Sequence, residues 1–488
     1  MSESGCDLPP GDLPPGGTDP SSADASPGPS SGAPTWVDRE LLDGADDDVC
    51  LYLGAPTTRA ELRSLVAAQQ DLLAEAGLRP GGTVTLVLPP SLGYVASLMA
   101  AWRIGAQVSL LDHRLARVEI DKALDRLAPH VVVEMPDLTA RFMSGYATGH
   151  AIPQPRPDGL PAATPHALIQ LSSGSTGPSK VIARTSADLV DELGRYAKLD
   201  DYPEAGTRIV LLASIVHVLG LVGGLLHSLH AGIELVFPDR LTADGIRGAV
   251  TAGDKPTMVL GVPFHAELMT ADPRPLPQLT KMVVAGELTR PWVRPAFTSG
   301  YGVPLGNMYG MTELGVIATD LLGQLAPAVA PAPGMRLRVV DGELQVAMRA
   351  SPYIGLVDET RWVDGWLHTR DAASMDEGTG QVTILGRLDS QVSIGGLKVD
   401  LTEVEQTISD LPQVAACVVS FDDAIEAYLV LHDDAELGDV GAAIAEQLAS
   451  YKRPRRLHVL SELPRTATGK NVRDRAVLRA AADAASAV

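Results

Sequence analysis

The chain has 488 residues, a formal net charge of −21 and three cysteines, Cys6, Cys50 and Cys417. Its length predicts several domains with a large buried core, and its negative charge argues against nucleic acid or an anionic membrane as a partner. The cysteines lie far apart without metal-ligand spacing, which argues against a disulfide framework or a zinc site and favours a reducing cytoplasm.

Residues 1–34 are dominated by Pro, Gly, Ser and Asp and lack the basic and apolar regions of a signal peptide. A segment of this composition buries too little apolar surface to offset the entropy lost on ordering. We therefore expect a disordered tail before the folded chain begins at residue 35.

From residue 35 onwards, helical patterns alternate with short apolar strands. Helical periodicity occurs in RAELRSLVAAQQDLLAEAGL and GYVASLMAAWRIGA. Patterns typical of buried strands occur in TVTLVL, VVVEM, TMVLGV and KMVVAGE. Strands separated by helices over this length predict an α/β fold with a largely parallel, doubly wound sheet.

Residues 168–189, LIQLSSGSTGPSKVIARTSADL, place a loop of glycines and hydroxyls between two β-type runs. Backbone N–H groups in such a loop can approach a phosphate closely. The spacing of Gly174, Gly177 and Lys180 differs from that of the P-loop, and β-branched residues follow the lysine, so a strand, a loop and a second strand are predicted. An ordinary hairpin turn is the alternative interpretation of these residues alone.

The apolar segment IVLLASIVHVLGLVGGLLHSLHAGIELVF, residues 209–237, is long enough to cross a membrane. His217, His227 and His230, together with four glycines, interrupt it. These interruptions favour a buried strand, a loop at His217, a helix and a second buried strand over a membrane span.

The character of the sequence changes after LAPAVAPAPG, where the short strands RLRVV, ELQVAM and VTILGR predict a β-rich subdomain. A further boundary is expected near residue 386. It divides the folded chain into a large domain, residues 35–385, and a small α+β domain, residues 386–488.

Three local signals mark the small domain. Gly395 and Gly396 predict a turn, and Thr402 with Glu405 forms a T-x-x-E pattern that predicts a helix start. The segment LPRTATGKNVRDRAVLRAA predicts a loop that carries Lys470 into a final helix.

Four further stretches follow the glycine-rich loop in order: NMYGMTELG at 307–315, GWLHTRDAASM at 365–375, GRLDSQVSIGGLKVDLTEVE from 386, and LPRTATGK ending at 470. With the loop, this set resembles the superfamily of carboxylate-activating, AMP-forming enzymes, which includes acyl- and aryl-CoA ligases, adenylation domains and luciferases. Within that superfamily, GPSKVIARTSADL is most similar to the branch that activates aryl acids.

The resemblance implies a large N-terminal domain and a small, mobile C-terminal domain that rotates about a hinge near Asp389. It also implies that ATP activates a carboxylic acid as acyl-AMP, with release of pyrophosphate, before the acyl group passes to a thiol of coenzyme A or of carrier-protein phosphopantetheine. The chain stops soon after the Lys470 helix, so any carrier is expected to be a separate protein. The alternatives are an amide-forming ligase, a fatty acyl-CoA or acyl-AMP ligase, and a noncatalytic nucleotide-binding relative.

The resemblance assigns one group of residues to the adenine and phosphates of ATP and to the metal ion. Tyr309 would stack on adenine, Thr312 would bind the α-phosphate, and Glu313 would ligate Mg²⁺, a hard cation suited to carboxylate and phosphate oxygens. The residues of the loop that would contact the β- and γ-phosphates are Ser173, Gly174, Ser175, Thr176, Gly177 and Lys180.

A second group is assigned to the ribose and its surroundings. Asp371 would accept hydrogen bonds from the ribose hydroxyls, as an acceptor-only carboxylate can, and Arg387 would lie nearby. Gly286 and Glu287 would belong to the same site. Here the sequence departs from the family, because Arg370 stands where glycine normally precedes the aspartate.

Lysine is rare in this chain, with 8 of the 39 basic residues, yet Lys180, Lys398 and Lys470 all lie inside the motifs. A compact ammonium can enter a tight site that a forked guanidinium cannot. The resemblance makes Lys470 the catalytic group that binds the carboxylate and α-phosphate oxygens. A solvated surface position is the alternative for Lys180 and Lys398.

The acid is predicted to be aromatic, or otherwise to lack an α-ammonium group. Adenylating domains for amino acids resemble one another in an aspartate that pairs with this ammonium, but no aspartate lies between Ile209 and Leu235, and a buried ammonium without a carboxylate is strongly disfavoured. His217, in an H-x-x-G arrangement with Gly220, would line the acid pocket and is grouped with the catalytic residues; a histidine satisfied in the core is the alternative. Further small wall residues would be Gly223, Gly224, Val262 and Gly286.

Overall fold

The computed structural model describes residues 34–139, 143–172, 180–355, 359–388, 390–432, 435–464, 472 and 474–486. Several predicted features lie outside these residues. They are residues 1–33 of the predicted tail, the loop residues Ser173, Gly174, Ser175, Thr176 and Gly177, the hinge residue Asp389, and Lys470.

The described strands begin, in chain order, with β1 (Val49–Tyr52), β2 (Pro56–Thr58), β3 (Thr83–Leu86), β4 (Gln107–Leu110), β5 (Val131–Glu134), β6 (Ile152–Pro155), β7 (Leu168–Ser172), β8 (Lys180–Arg184), β9 (Arg208–Leu211), β10 (Glu234–Val236), β11 (Thr257–Gly261), β12 (Leu279–Ala285) and β13 (Leu305–Met311). They continue with β14 (Gly315–Asp320), β15 (Ala330–Pro331), β16 (Leu337–Val340), β17 (Glu343–Ala347), β18 (Tyr353–Ile354), β19 (Trp362–Val363), β20 (Trp366–Met375), β21 (Val382–Arg387), β22 (Gln391–Ile394), β23 (Leu397–Asp400), β24 (Val414–Phe421), β25 (Ile425–Leu431) and β26 (Arg456–Val459).

The described α-helices are α1 (Trp36–Glu40), α2 (Arg59–Glu75), α3 (Leu92–Ile104), α4 (Arg117–Leu127), α5 (Ser186–Tyr196), α6 (His227–Ala231), α7 (Ala243–Thr251), α8 (Pro263–Thr270), α9 (Val293–Tyr301), α10 (Leu401–Ser409), α11 (Leu437–Gln447) and α12 (Arg475–Ser486). A π-helix (Leu219–Leu226) precedes α6, and a 3₁₀-helix (Glu359–Arg361) precedes β19. Helices α2 and α3 confirm the two helical patterns predicted near the start of the chain.

Two large sheets form most of the N-terminal domain and confirm the predicted α/β fold. The first has nine strands in the order β15-β14-β13-β12-β11-β9-β10-β1-β2, and the second has seven in the order β18-β8-β7-β4-β3-β5-β6. The central strands of both sheets are parallel, with antiparallel partners at the edges. The central strands β9 and β11 are buried along their whole length, as expected for parallel strands covered on both faces.

The parallel arrangement decides where the loops of the first sheet meet. In such a sheet the segments that follow the carboxyl ends of neighbouring strands converge at one edge. The segments after β9, β11 and β12 contain His217, Val262 and Gly286, and the neighbouring strand β13 contains Tyr309. Residues far apart in sequence therefore share one edge of the sheet.

Two segments interpreted from sequence have the predicted form. The strands predicted on either side of the glycine-rich loop are β7 and β8, and they pair antiparallel. The apolar segment 209–237 contributes β9, the π-helix, α6 and β10. Across the part of the chain that the structure describes, no helix is long and apolar enough to cross a membrane.

The predicted β-rich subdomain is a five-stranded sheet of β16, β17, β19, β20 and β21. Its β20–β21 register sets Asp371 directly opposite Arg387. The C-terminal domain contains the β22–β23 hairpin, the three-stranded sheet β24-β25-β26 and helices α10 to α12, which confirms the predicted α+β character. The hairpin turns at Gly395 and Gly396, both in the left-handed region with φ of 56° and 81°.

One predicted helix start is wrong by two residues. The N-cap of α10 is Asp400, whose carboxylate accepts hydrogen bonds from the backbone N–H groups of Thr402 and Glu403. Glu405 does not complete a capping box, because its carboxylate accepts from the backbone N–H of Val419 at 2.8 Å. Asp400, two residues before Thr402, takes the Thr402 backbone N–H that Glu405 would need for the capping box, and aspartate is among the strongest N-cap residues.

Candidate active site

A cleft of about 1740 Å³ lies between the large domain and the C-terminal domain. Its walls come from the segments at the edge of the first sheet, from β20 and β21, and from the β22–β23 hairpin. The predicted site residues that line this cleft are His217, Val262, Gly286, Glu287, Tyr309, Thr312, Glu313, Asp371 and Arg387. Lys180 starts β8 opposite Ser172 and does not line the cleft among the residues described.

One end of the cleft holds a compact polar group around Asp371, which is only 6% exposed. The Tyr309 hydroxyl donates a hydrogen bond to Asp371 Oδ2 at 2.6 Å, and Arg387 Nη1 lies 3.1 Å from Oδ1. Burial, reinforced by the Asp371 charge, raises the pKa of Tyr309 well above its ordinary value. Tyr309 is therefore a neutral hydrogen-bond donor to a carboxylate that Arg387 also holds.

The departure from the family at Arg370 leaves this polar group open. Arg370 has φ of 61°, a left-handed conformation that glycine adopts at no steric cost. Its backbone N–H donates to Glu343 Oε1 at 2.9 Å, and its guanidinium donates to Thr360 Oγ1 at 2.5 Å. The side chain thus extends away from Asp371 and is not among the described residues that line the cleft.

Glu313 lies in the turn between β13 and β14, next to Thr312, and is 7% exposed. Its Oε1 accepts a hydrogen bond from the Tyr353 hydroxyl at 2.8 Å. Burial, followed by the charge of Glu313, raises the pKa of Tyr353, which keeps that phenol protonated as a donor. The hydrogen bond orients a carboxylate that lines the cleft.

Another part of the wall is built around His217, whose Nε2 atom is buried and has no hydrogen-bond partner among the described residues. Burial lowers the pKa of His217, although the neighbouring Asp112 opposes this shift. Asp112 itself forms a bidentate pair with Arg114, with Oδ1–Nε and Oδ2–Nη2 distances of 2.9 and 2.6 Å. Burial raises the pKa of Asp112, but Arg114 outweighs this effect and lowers the pKa to about 2.

Sequence reasoning missed Asp112 and Arg114. They occur in LLDHRLA directly after β4, which pairs with β7 of the glycine-rich hairpin. The signal that could have identified them is a charged cluster directly after a buried parallel strand. Ligand sites commonly lie at the carboxyl ends of such strands.

The remaining wall beside His217 is largely apolar and includes Leu211, Ala213, Val216, Val262 and Met308. The prediction that Gly223 and Gly224 also line it is wrong. A Cβ atom at Gly223 would lie 2.5 Å from the Tyr196 hydroxyl, and one at Gly224 would lie 2.7 Å from a Leu211 methyl carbon. These glycines instead allow the π-helix to pack closely behind the wall.

The C-terminal domain enters the cleft through its β22–β23 hairpin. Gly396 donates its backbone N–H to Glu287 Oε1 at 2.6 Å, and Lys398 Nζ donates to the Gly286 carbonyl at 2.7 Å. A Cβ atom at Gly396 would lie 2.4 Å from Val262 Cγ1, so this close approach requires glycine. Lys398 is therefore docked on the large domain.

The segments that flank Lys470 lie elsewhere in the C-terminal domain. The backbone N–H of Val472 donates to the Pro464 carbonyl at 2.8 Å, and Leu478 of α12 packs against Tyr428 of β25. Among the described residues, none after Arg455 lines the cleft. In this orientation the cleft receives the hairpin of Gly396 and Lys398 from the C-terminal domain.

Comparison with known proteins identifies the family to which this chain belongs. Residues 40–350 match the AMP-binding enzyme family, and residues 403–470 match the AMP-binding enzyme C-terminal domain. A feruloyl-CoA synthase from Amycolatopsis sp is 28% identical and spans 86% of this chain and 92% of its own length. The p-hydroxybenzoic acid–AMP ligase FadD22 from Mycobacterium tuberculosis is 27% identical over 88% of this chain and 66% of its own.

Solved structures of other proteins share this fold. The o-succinylbenzoate CoA synthetase from Bacillus subtilis superposes with a TM-score of 0.74 and 22% identity, covering 88% of this chain and 95% of that one. The chain therefore belongs to the AMP-binding enzyme family and is an AMP-forming ligase that joins carboxylic acids to thiols.

Proposed function

We propose that this ligase activates an aryl carboxylic acid. A carboxylate oxygen of the acid attacks the α-phosphorus of ATP, the bond to pyrophosphate breaks, and the acyl group of the resulting acyl-AMP passes to a thiol with release of AMP. The observation that carries the proposal is that one cleft joins the polar group around Asp371 to an apolar wall beside His217.

The charges beside the apolar wall support an acid without an α-ammonium group. Asp112 is the carboxylate that interacts with His217, and Arg114 already holds both of its oxygens. A substrate ammonium would have to displace the Arg114 guanidinium from the buried Asp112 carboxylate or be left unpaired, and either is costly. The relatives named for feruloyl and p-hydroxybenzoic acid substrates agree with this choice.

At the other end, we assign Asp371 and Arg387 to the ribose, Tyr309 to adenine and Thr312 to the α-phosphate. An aspartate that accepts from Tyr309 and Arg387 can also accept from ribose hydroxyls, since each carboxylate oxygen has two lone pairs. Gly286 and Glu287 contribute the neighbouring wall. Fixed donors at the α-phosphate act by positioning and by stabilising charge in the transition state.

We assign the phosphates and their metal ion to a further set of residues. Glu313 fits a Mg²⁺ ligand because it is an oriented carboxylate at the cleft. Mg²⁺ usually takes one or two protein carboxylates and completes its shell with water and phosphate oxygens. When bound, the ion would neutralise phosphate charge. The proposed loop contacts are Ser173, Gly174, Ser175, Thr176, Gly177 and Lys180.

We assign the two half-reactions to two orientations of the C-terminal domain, with domain limits at 35–385 and 386–488 and a hinge near Asp389. The observed orientation presents Gly396 and Lys398 to the cleft, which supports its use for thiol transfer. Rotation about the hinge would bring Lys470 to the carboxylate and α-phosphate oxygens for adenylation. Such domain movements commonly separate the steps of a catalytic cycle.

Pyrophosphate exchange tests the first half of the proposal. The purified protein would be assayed with ATP, Mg²⁺ and matched sets of benzoates, cinnamates, fatty acids and α-amino acids. We expect exchange to be strongest with an aryl acid. A strong preference for an α-amino acid would contradict the pocket argument, a fatty acid would overturn the aryl assignment alone, and no exchange with any acid would reject the activity.

The acceptor is tested separately, with the best acid from this screen. Coenzyme A, a carrier protein bearing phosphopantetheine, and simple amines would be offered in parallel and the products identified by mass spectrometry. We expect a thioester with one of the two thiols. An amide as the main product would instead support the amide-forming alternative.

A further inference from the structure

Tyr196 is a buried phenol in the apolar wall of the cleft. Tyr196 ends helix α5, is 2% exposed, and lines the cleft together with Leu211 and Met308. Burial raises its pKa well above the ordinary value, so the hydroxyl is neutral and retains its proton. A hydroxyl in this state can donate one hydrogen bond and accept others.

The hydroxyl of Tyr196 has a poor partner. Its hydrogen bond among the described residues goes to Met308 Sδ at 3.4 Å, and a thioether sulfur is only a weak acceptor. Two nearby buried tyrosines are better satisfied: Tyr202 donates to the Gly223 carbonyl at 2.9 Å and Tyr94 donates to the Ile215 carbonyl at 2.8 Å. Buried polar groups normally have a full partner, so the Tyr196 hydroxyl is an exception at the cleft wall.

The surroundings of Tyr196 fix this hydroxyl in place. Behind it, the ring centroids of Tyr202 and His227 lie 5.0 and 5.4 Å from that of Tyr196. Gly223 makes room for the hydroxyl, because a Cβ atom there would lie 2.5 Å from the oxygen. The packing therefore leaves the phenol rigid, with its front at Met308 and the cleft.

The position of Tyr196 in the cleft is near the expected location of the end of the acid that is remote from its carboxylate. The proposed reaction centre is at Thr312, on the turn that follows β13, whereas Met308 lies before Tyr309 in that strand. Side chains alternate between the two faces of a strand, so Met308 projects away from the adenine-binding Tyr309. Thr312, Met308 and Tyr196 line the same cleft, so an acid whose carboxylate reached Thr312 and whose ring lay along the apolar wall would have its remote end beside Met308 and Tyr196.

We infer that Tyr196 selects an aryl acid that carries a phenolic hydroxyl on the side of the ring remote from the carboxylate. This inference rests on the proposed function and adds the substituent. The substrate hydroxyl would replace Met308 Sδ as partner of Tyr196. An acid without it would leave the phenol with the sulfur alone, and a site built to bind a substrate hydroxyl rejects the analogue that lacks it.

Matched acids and a single-atom variant test this inference. The values of kcat/KM for pyrophosphate exchange would be measured for benzoate against 4-hydroxybenzoate and for cinnamate against 4-hydroxycinnamate, in the wild-type enzyme and in Tyr196→Phe. We expect the wild type to prefer the hydroxylated acid of the better pair by roughly 10- to 100-fold. Tyr196→Phe should reduce this ratio to near one, mainly through KM. The ratio is taken within each enzyme, so an overall loss of activity cancels.

Tyr202→Phe is the matched control, because it removes a buried tyrosine hydroxyl from the same cluster that does not line the cleft. Thermal unfolding would establish that both variants are folded, and we expect the control to keep the wild-type preference. Equal use of the two acids by the wild type, a retained preference in Tyr196→Phe, or the same loss in Tyr202→Phe would each overturn the inference. Exchange with unsubstituted acids alone would also overturn it while leaving acid activation intact, whereas no exchange with any acid would reject the proposed function itself.

Discussion

Lys452 of the C-terminal domain and Glu119 of the large domain form a nearly buried ion pair across the cleft, with Nζ 2.7 Å from Oε1. Lys452 also lies 2.9 Å from Glu403 Oε1, and the backbone N–H of Ala449 donates to Glu119 Oε2 at 2.7 Å. Burial lowers the pKa of Lys452, but Glu403 and Glu119 outweigh it and raise the pKa above the ordinary value. The ammonium is therefore held charged in the observed orientation.

Breaking this contact should favour departure from the observed orientation. In Glu119→Gln, Lys452 keeps Glu403 but loses its partner on the large domain, and removal of one partner of a buried pair is strongly unfavourable. We expect thiol transfer to slow by on the order of 10-fold, while adenylation is kept or accelerated. Single-turnover assays of the two half-reactions would measure this.

Asp121→Asn is the control for that experiment. Asp121 lies on the same helix, α4, and pairs with Arg117 on the exposed surface. It should change neither half-reaction. If Glu119→Gln slowed both half-reactions equally, the ion pair would be a general stabiliser and would not select an orientation.

The hairpin that enters the cleft offers a matched pair of glycines. Gly396→Ala would place a Cβ atom 2.4 Å from Val262 Cγ1, whereas a Cβ atom at Gly395 has no atom within 4 Å. Both glycines have positive φ, so alanine adds comparable backbone strain at each. We expect Gly396→Ala to impair thiol transfer from preformed acyl-AMP far more than Gly395→Ala does. Equal effects would mean that backbone strain, and not seating against Val262, limits the hairpin.

Lys470 is predicted to act in the other half-reaction. Lys470→Ala should lower the rate of pyrophosphate exchange by on the order of 10² or more, as when one electrostatic donor is removed from a transition state. Transfer from preformed acyl-AMP to thiol should fall much less. Lys198→Ala, at an exposed lysine, is the control. Equal losses in both half-reactions would refute the role assigned to Lys470.

The Asp112–Arg114 pair should make stability depend on pH in acid. Arg114 lowers the pKa of Asp112 from the ordinary 3.8 to about 2, so the native state holds this proton less tightly than the unfolded chain does. The pair therefore contributes stability above about pH 4, on the order of 2 kcal/mol, and this contribution disappears as the pH falls toward 2. The free energy of unfolding of Asp112→Asn should thus approach that of the wild type in acid. A difference independent of pH from 2 to 6 would contradict the assigned cause.

Local sequence was sufficient for the elements of the fold and for a set of motifs whose residues line one cleft. Periodicity identified α2, α3 and the buried strands, because side-chain spacing in a helix or strand depends on a few neighbouring residues. The turn at Gly395 and Gly396 was predicted for the same reason. The motifs around Tyr309 and Asp371 were identified as one set by their order along the chain, before any distance between them was known.

Tertiary structure decided which residues meet and what each contact does. Glu119 and Lys452 are 333 residues apart in sequence, and only the docking of one domain on another turns them into an ion pair. Gly223 was predicted to widen the acid pocket, but it makes room for the hydroxyl of Tyr196, a residue that sequence reasoning passed over. Such relationships depend on the register of distant strands and on the packing of one element behind another, and a local pattern contains no information about either.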